Sequence, residues 1–180
     1  YWQHVSDYRP FVTRPEKKIL DPHYLDQRAA LISPSKAAKI CFQQALQKED
    51  KNTSALCSAD REGNLFSYTN TTSFPFGSGV IIEGVGIVMN NGMRNFSLDK
   101  NALNCLKPGH IPSTPMAPVL ALKDNQPVLT AGAPGGMHIP VYLFQILLEV
   151  LDRHLSAQQA VDAPRLDASE GILIIDAHMP

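Results

Sequence analysis

The tightest constraint on this chain is a three-residue connection, Arg61-Glu62-Gly63, set between two β-compatible runs at residues 56–60 and 64–70. Gly63 supplies the left-handed conformation that a hairpin of this length needs, so the two runs are expected to pair antiparallel. Setting Asp60 against Asn64 fixes the register: Ser58 opposes Phe66, Ala55 opposes Thr69, and Thr53 opposes Thr71. Opposed side chains in such a ladder stand about 4.5–5.5 Å apart at Cβ. Two hydroxyls are thereby brought face to face, which suggests a site. By pattern alone an ordinary Thr–Thr cross-strand pair is the simpler reading, because Thr favours strands.

Other segments fill in the layers. Residues 117–123 and 127–131, joined by Asp124-Asn125-Gln126, form a second expected hairpin. Residues 78–82 and 86–89 read as shorter strands broken by Glu83-Gly84-Val85, followed by a polar cluster containing Asn90, Asn91 and Asn95 and by a Pro-containing loop over 98–115. From residue 139 to 152 nearly every position is apolar, with Gln145, Glu149 and Asp152 as a thin polar stripe, so a helix buried around most of its circumference is expected. Ser156-x-x-Gln159 has the form of a capping box and opens a shorter helix that Ala163-Pro164 ends. Upstream, residues 1–34 carry prolines and charges with little periodicity and read as an extended arm, residues 35–47 keep apolar side chains at helical spacing, and a charged linker over 48–51 leads to Thr53. Two antiparallel hairpins need another layer over them, and the apolar helix supplies it. The expected class is layered α/β with antiparallel strands.

Composition narrows the function classes. With 180 residues, 44% of them hydrophobic, the chain can build one sizeable core, and a net charge of −1 gives no electrostatic reason to expect nucleic acid or an anionic membrane as partner. The sequence lacks a run of eighteen apolar residues and a leader-like start; it begins at Tyr1 and reads as a fragment, so the compartment does not follow from it. Cys41, Cys57 and Cys105 are odd in number and widely spaced, which argues for buried free thiols rather than a disulfide framework. The six His residues are scattered, and no metal site is expected.

A second chemical element is Gly132-Ala133-Pro134-Gly135-Gly136, between a strand and the start of the apolar helix. Backbone N–H groups there, with a helix dipole behind them, suit an oxyanion developing in acyl transfer. A plain strand-to-helix turn fits the same residues. Gly77-Ser78-Gly79 lacks the spacing of a phosphate-binding loop.

The ordered stretches NTSALCSADREGN, TNTTSFPFGSGV, GIVMNNGMRNFS, STPMAPVLAL, GAPGG and AVDAPRL resemble the gamma-glutamyltransferase family, and LDPHYLDQRAALISPSKAAKI resembles the end of that family's large subunit. The resemblance implies an α/β (α+β) fold, the αββα sandwich of N-terminal-nucleophile hydrolases. It also implies self-cleavage between Asn52 and Thr53, dividing the chain into a large-subunit-like segment, 1–52, and a small-subunit-like catalytic segment, 53–180. Thr53 is then the nucleophile, Thr71 its supporting hydroxyl, and Gly135 and Gly136 the oxyanion hole. No cofactor and no metal are implied. The implied partners are a small γ-glutamyl substrate and the remainder of the large subunit, in a periplasmic, extracellular or cell-surface setting. At the family's substrate-binding positions this chain carries Ser73, Gly92, Asn95 and Thr114-Pro115, and Thr53-Ser54-Ala55 replaces a Thr-Thr-His-like run. Asn95 in place of Asp removes the negative charge that would pair with a substrate ammonium. The implied activity is γ-glutamyl amide hydrolysis or transfer, and the alternative is a substrate-diverged or catalytically silent relative.

Overall fold

A computed structural model of the chain describes residues 20–36, 52–168 and 173–176. From residue 37 onward the helix expected at 35–47 lies outside the described residues, as do Cys41 and the linker at 48–51. Contacts divide the chain into two compact units, one holding residues 1–43 and 92–114, the other 44–91 and 115–180.

In the first unit, helix α1 (Pro22–Ala29) stands where an extended arm was expected. Its start is set locally: Asp21 is the N-cap, its Oδ1 accepts from the Tyr24 N–H at 2.9 Å, and Pro22 occupies the first turn, where its missing N–H costs nothing. The second part of this unit, 92–114, opens with a 3-10 turn, Gly92–Asn95. Asn104 ties it together, donating from Nδ2 to the Asn95 carbonyl at 2.6 Å and accepting from the Ser113 N–H at 3.2 Å. Phe96 and Cys105 are buried within it.

The second unit is built on two hairpins. Strands β1 (Thr53–Ala59) and β2 (Leu65–Thr71) pair antiparallel in the register read from the turn, with Thr53 opposite Thr71 and Ala55 opposite Thr69. The turn is held by Asp60, whose Oδ1 accepts from the N–H groups of Glu62 and Asn64 at 2.9 and 2.8 Å, while Oδ2 accepts from Asn64 Nδ2 at 2.6 Å. These bonds, the Asn64 side chain foremost, hold the Asp60 carboxyl below its ordinary pKa. Strands β3 (Val119–Lys123) and β4 (Gln126–Ala131) close through Asp124-Asn125 alone, both at positive φ (53° and 61°), the signature of a two-residue mirror-image turn. Gln126 therefore belongs to the strand rather than the turn. The ladder shifts register between Ala121 and Leu122, where Pro127, unable to donate, sits opposite.

The hairpins are clipped to each other through side chains: Ser67 Oγ donates to the Ala131 carbonyl at 2.8 Å and Thr130 Oγ1 to the Phe66 carbonyl at 3.0 Å. The strands expected at 78–82 and 86–89 are reduced to one antiparallel bridge, Ile81 with Val88. The intervening residues spend their hydrogen bonds on the turn itself, Val85 and Gly86 both donating back to the Ile82 carbonyl. Gly77 belongs to this packing, since a Cβ there would collide with the Met89 carbonyl oxygen.

Helix α2 (Ile139–Leu151) follows the glycine-rich turn, and helix α3 (Ala157–Asp162) begins with the expected capping box of Ser156 and Gln159. Short strands β5 (Leu166–Asp167) and β6 (Ile174–Ile175) close the unit. Burial on α2 is less complete than expected of a helix buried around most of its circumference. Ile139 and Leu143, one turn apart, are buried, whereas Phe144 is 61% exposed. The exposed residues of this helix form one stripe, Phe144, Leu148 and Leu151, and the others are half-buried or buried. An apolar cleft of about 220 Å³ lies between β4 and the helices, lined by Cys57, Leu129, Ala131, Leu143, Ile146 and Val161 among others. Cys57 is exposed, against the expectation of a buried thiol, because it sits at this open edge; Cys105 is buried.

Candidate active site

The hairpin register places two hydroxyls together, and their hydrogen bonds form a directed chain. Thr53 Oγ1 donates to Thr71 Oγ1 at 3.1 Å, and Thr71 Oγ1 donates in turn to the Asn52 carbonyl oxygen at 3.3 Å. The Ser73 N–H donates to the same Thr71 oxygen at 3.0 Å. A threonine hydroxyl has one proton and two lone pairs, and all three are used at Thr71. The arrangement leaves Thr53 with its proton committed and its lone pairs pointing elsewhere, on the residue next to the carbonyl that Thr71 polarises. Both hydroxyls are part-buried. Ser73 itself adopts a positive φ of 70°, so the chain turns sharply just after this contact.

Two residues along the same strand, Thr69 lies 9% exposed, and its Oγ1 has no hydrogen-bond partner among the described residues. Position on the strand face thus does not by itself give a hydroxyl a role.

The glycine-rich turn begins at Gly132, where a Cβ would stand 3.1 Å from Ala55 Cβ, so β1 and this turn approach closely. Gly135 and Gly136 both take positive φ, 136° and 59°, which side chains rarely adopt. They lead into a 3-10 turn, Gly136–His138, and then directly into α2. His138 carries an interaction that the sequence did not announce: its Nδ1 lies 2.7 Å from Oδ2 of Asp167, which is 1% exposed. The imidazole stacks on Tyr142 at 5.6 Å, and the Arg165 guanidinium stands 5.9 Å from the same Tyr142 ring. Burial, and then the negative charge of Asp167, raise the Tyr142 pKa, with Arg165 opposing.

The remaining candidate positions divide between the units. Ser73 is in the unit of Thr53 and Thr71, next to them through its backbone. Asn95 and Thr114 belong to the other unit. There the Asn95 Nδ2 donates to the Ser113 carbonyl at 3.0 Å, a bond that holds the loop leading to Thr114. Among the described residues no group of three or more His, Cys, Asp or Glu is placed to hold a metal ion.

Comparison with known proteins decides the lineage. Residues 2–177 match the gamma-glutamyltranspeptidase family. The chain belongs to that family. Among curated relatives, the Acylase ACY 1 proenzyme of Pseudomonas sp. (strain SE83) is 34% identical over 170 residues, covering 94% of this chain and 30% of that protein. The glutathione hydrolase proenzyme of Bacillus subtilis (strain 168) is 31% identical over 173 residues, covering 87% of this chain and 30% of that protein. The chain thus spans about 30% of the length of these relatives.

Solved structures agree. A mutant of the Helicobacter pylori gamma-glutamyltranspeptidase superposes with a TM-score of 0.62 at 32% identity, over 70% of this chain and 75% of that one. The cephalosporin acylase of Bacillus halodurans gives 0.81 at 28% identity, over 99% of this chain and 32% of that one. The mixed α/β class expected from the sequence is therefore that of N-terminal-nucleophile gamma-glutamyltranspeptidases. For a gamma-glutamyltranspeptidase family member, the features to explain are the directed hydroxyl chain, the paired glycines and the buried carboxylate behind them.

Proposed function

We propose that this chain carries the nucleophile of a self-cleaving amidase that acts on γ-glutamyl amides by acyl transfer. The observation that carries the reading is the chain of hydrogen bonds from Thr53 Oγ1 through Thr71 Oγ1 to the Asn52 carbonyl. In the maturation step Thr53 Oγ attacks the Asn52 carbonyl carbon. The Asn52–Thr53 C–N bond breaks, the hydroxyl proton passes to the departing nitrogen, and an ester links Asn52 to Thr53 Oγ. Water hydrolyses that ester, leaving an Asn52 carboxylate and a free Thr53 α-amine. The amine then serves as base for its own hydroxyl, the known arrangement of Thr with an N-terminal amine.

In the catalytic step Thr53 Oγ attacks the γ-carbonyl of the substrate, its proton moving to the α-amine. Gly135 and Gly136 offer their N–H groups to the oxygen that becomes negative, where preorganised donors stabilise the transition state most. The tetrahedral species collapses with loss of the leaving amine, which takes the proton from the α-ammonium, and an acyl-enzyme remains. Water releases glutamate, or an acceptor amine takes the acyl group. Neither step calls on a cofactor or a metal. Within the unit of Thr53 the candidate for a substrate contact is Ser73, beside Thr71, and the remaining carboxylate and ammonium contacts fall to residues outside that unit.

Intact-mass measurement of the expressed full-length precursor tests this directly. Two pieces are expected, the smaller beginning Thr-Ser-Ala-Leu, and Thr53→Ala should remain a single chain without amidase activity. An unsplit but active Thr53→Ala protein overturns the reading.

A second reading, an acylase for a different acyl amide, is favoured by two observations. Acylases stand among both the sequence relatives and the structural neighbours. Asn95 and Ser73 also replace the residues the family uses on the amino-acid end of glutamate. Comparing kcat/KM for a γ-glutamyl anilide with that for an N-acyl anilide lacking the α-amino group separates the two. Preference for the second substrate selects the acylase.

A further inference from the structure

We infer that His138 and Asp167 form a positioning pair that holds the Gly135-Gly136 turn in shape for oxyanion stabilisation; the inference rests on the function proposed above. The need for such a device follows from the backbone. Two successive residues at positive φ, 136° and 59°, gain no rigidity from side chains, and glycine gives up more conformational freedom on ordering than any other residue. Oxyanion donors work by being fixed in advance, so a turn of this composition needs external anchors.

The structure supplies them on the downstream side. The His138 N–H donates to the Gly135 carbonyl at 3.2 Å, and the Ile139 N–H donates to the Gly136 carbonyl. Ile139 is fully buried and pins the first residue of α2. Between them, His138 Nδ1 meets Asp167 Oδ2 at 2.7 Å. A carboxylate that is 1% exposed needs a donor, and one with formal or partial positive charge makes a short, strong bond. Asp167 is itself fixed, because the amide of Gln145 on α2 brackets its neighbour Leu166: Nε2 donates to the Leu166 carbonyl at 2.7 Å and Oε1 accepts from the Leu166 N–H at 3.1 Å. The far side of the imidazole lies on Tyr142. The ring is therefore held at one edge and on one face, and it starts two residues after the glycine pair.

Nδ1 carries a proton toward Asp167 in the neutral tautomer the bond requires and in the cation alike, so the clamp does not depend on imidazole charge. Other ionisable groups gathered here are Tyr142, Arg165 and Asp176; Asp167 and Asp176 raise the Tyr142 pKa and Arg165 lowers it. What the clamp requires is a donor at the Nδ1 position and an acceptor at Asp167.

The test uses the full-length precursor with self-cleavage and turnover of a chromogenic γ-glutamyl anilide as separate readouts. In the uncleaved chain the Asn52 carbonyl accepts from Thr71 Oγ1, so self-cleavage reads the Thr53–Thr71 hairpin and the folding that places it, while anilide turnover reads the glycine turn. His138→Ala and Asp167→Ala are expected to split as wild type does, while kcat falls about ten- to a hundredfold, the order expected when reacting groups are slightly misplaced, and KM changes less than about twofold. His138→Asn, whose Nδ2 replaces Nδ1 as donor without a titrating ring, should recover most of kcat and keep the wild-type pH profile between pH 6 and 9. Split His138→Ala with wild-type kcat, or split His138→Asn no better than His138→Ala, overturns the pair. A precursor variant that does not split is read through His138→Asn alone, whose kcat then decides. A wild type that neither splits nor turns over the anilide counts instead against the proposed function.

Discussion

The two halves of the proposed site are held by opposite means. On hairpin β1–β2 the reactive group is kept by local geometry: a turn fixes the register, the register faces Thr53 with Thr71, and Thr71 has its one proton and both lone pairs engaged by Thr53, Ser73 and Asn52. At Gly135-Gly136 the backbone is intrinsically loose, and residues outside the pair hold it: buried Ile139 at the start of α2, and Asp167, 29 positions beyond His138. A hydroxyl dyad can be made within one hairpin. A cradle of backbone N–H groups cannot stiffen itself, because the glycines that allow the approach of a substrate oxygen also bring no side chain to pack.

The contrast predicts where a small change is most damaging. Thr71→Val keeps the shape of the side chain and the strand but removes the hydrogen bonds to Thr53 and the Asn52 carbonyl together. We expect appearance of the new Thr53 terminus to slow by about a hundredfold or more, in the range typical of losing a proton-handling group. Thr71→Ser should restore the rate to within a few fold. Time-resolved intact mass of freshly expressed precursor gives both numbers. If Thr71→Val splits at the wild-type rate, the hydroxyl chain is a strand pair and nothing more, and hairpin and glycine turn would differ in structure but not in role.

This half was legible because everything that sets it is near in sequence. Gly63 and the length of the Arg61-Glu62-Gly63 connection fix the register, and alternation along a strand then places Thr53 and Thr71 without knowledge of the rest. The capping box at Ser156 was legible for the same reason, as was the second hairpin, although its turn is Asp124-Asn125 alone and not the three residues expected. What the sequence could not supply was long-range. His138 and Asp167 look like an isolated histidine and a loop acid until the chain returns past α3, and no spacing rule links them. Helix α1 was missed for a different cause: Asp21-Pro22 is a start signal of cap and first turn, but the prolines around it suggested an arm. The apolar circumference of α2 was read correctly as composition and too far as burial, since burial depends on what lies over Phe144.

A medium effect is expected at the glycine turn, and it separates conformation from space. A Cβ on Gly135 would meet only Ile139 Cγ1 at 3.9 Å, an ordinary contact, yet φ there is 136°. Gly135→Ala therefore tests strain alone, at a cost of about 1–3 kcal/mol if the turn keeps its shape. If the turn relaxes instead, stability is largely retained and kcat falls by about tenfold or more as the N–H groups swing away. Denaturant unfolding read beside anilide turnover distinguishes these outcomes. A variant unchanged in both would show that the turn is neither strained nor used, and the comparison between the two halves would lose one side.

The smallest effect is expected two residues from the largest. Thr69 sits on the same strand and the same face as Thr71, but its buried Oγ1 has no partner among the described residues. A buried hydroxyl without a hydrogen bond carries its desolvation cost uncompensated, about 1–3 kcal/mol. Thr69→Val replaces it with a methyl of similar size in a β-favouring residue, so stability should hold or rise by about 1 kcal/mol, and the rate of self-cleavage should not change. The same substitution at Thr71 and at Thr69 thus forms a matched pair, differing only in whether the hydroxyl is wired to its neighbours. Should Thr69→Val unfold the protein or slow its cleavage as Thr71→Val does, the strand face as a whole, and not the directed chain through Thr71, would be what the reaction needs.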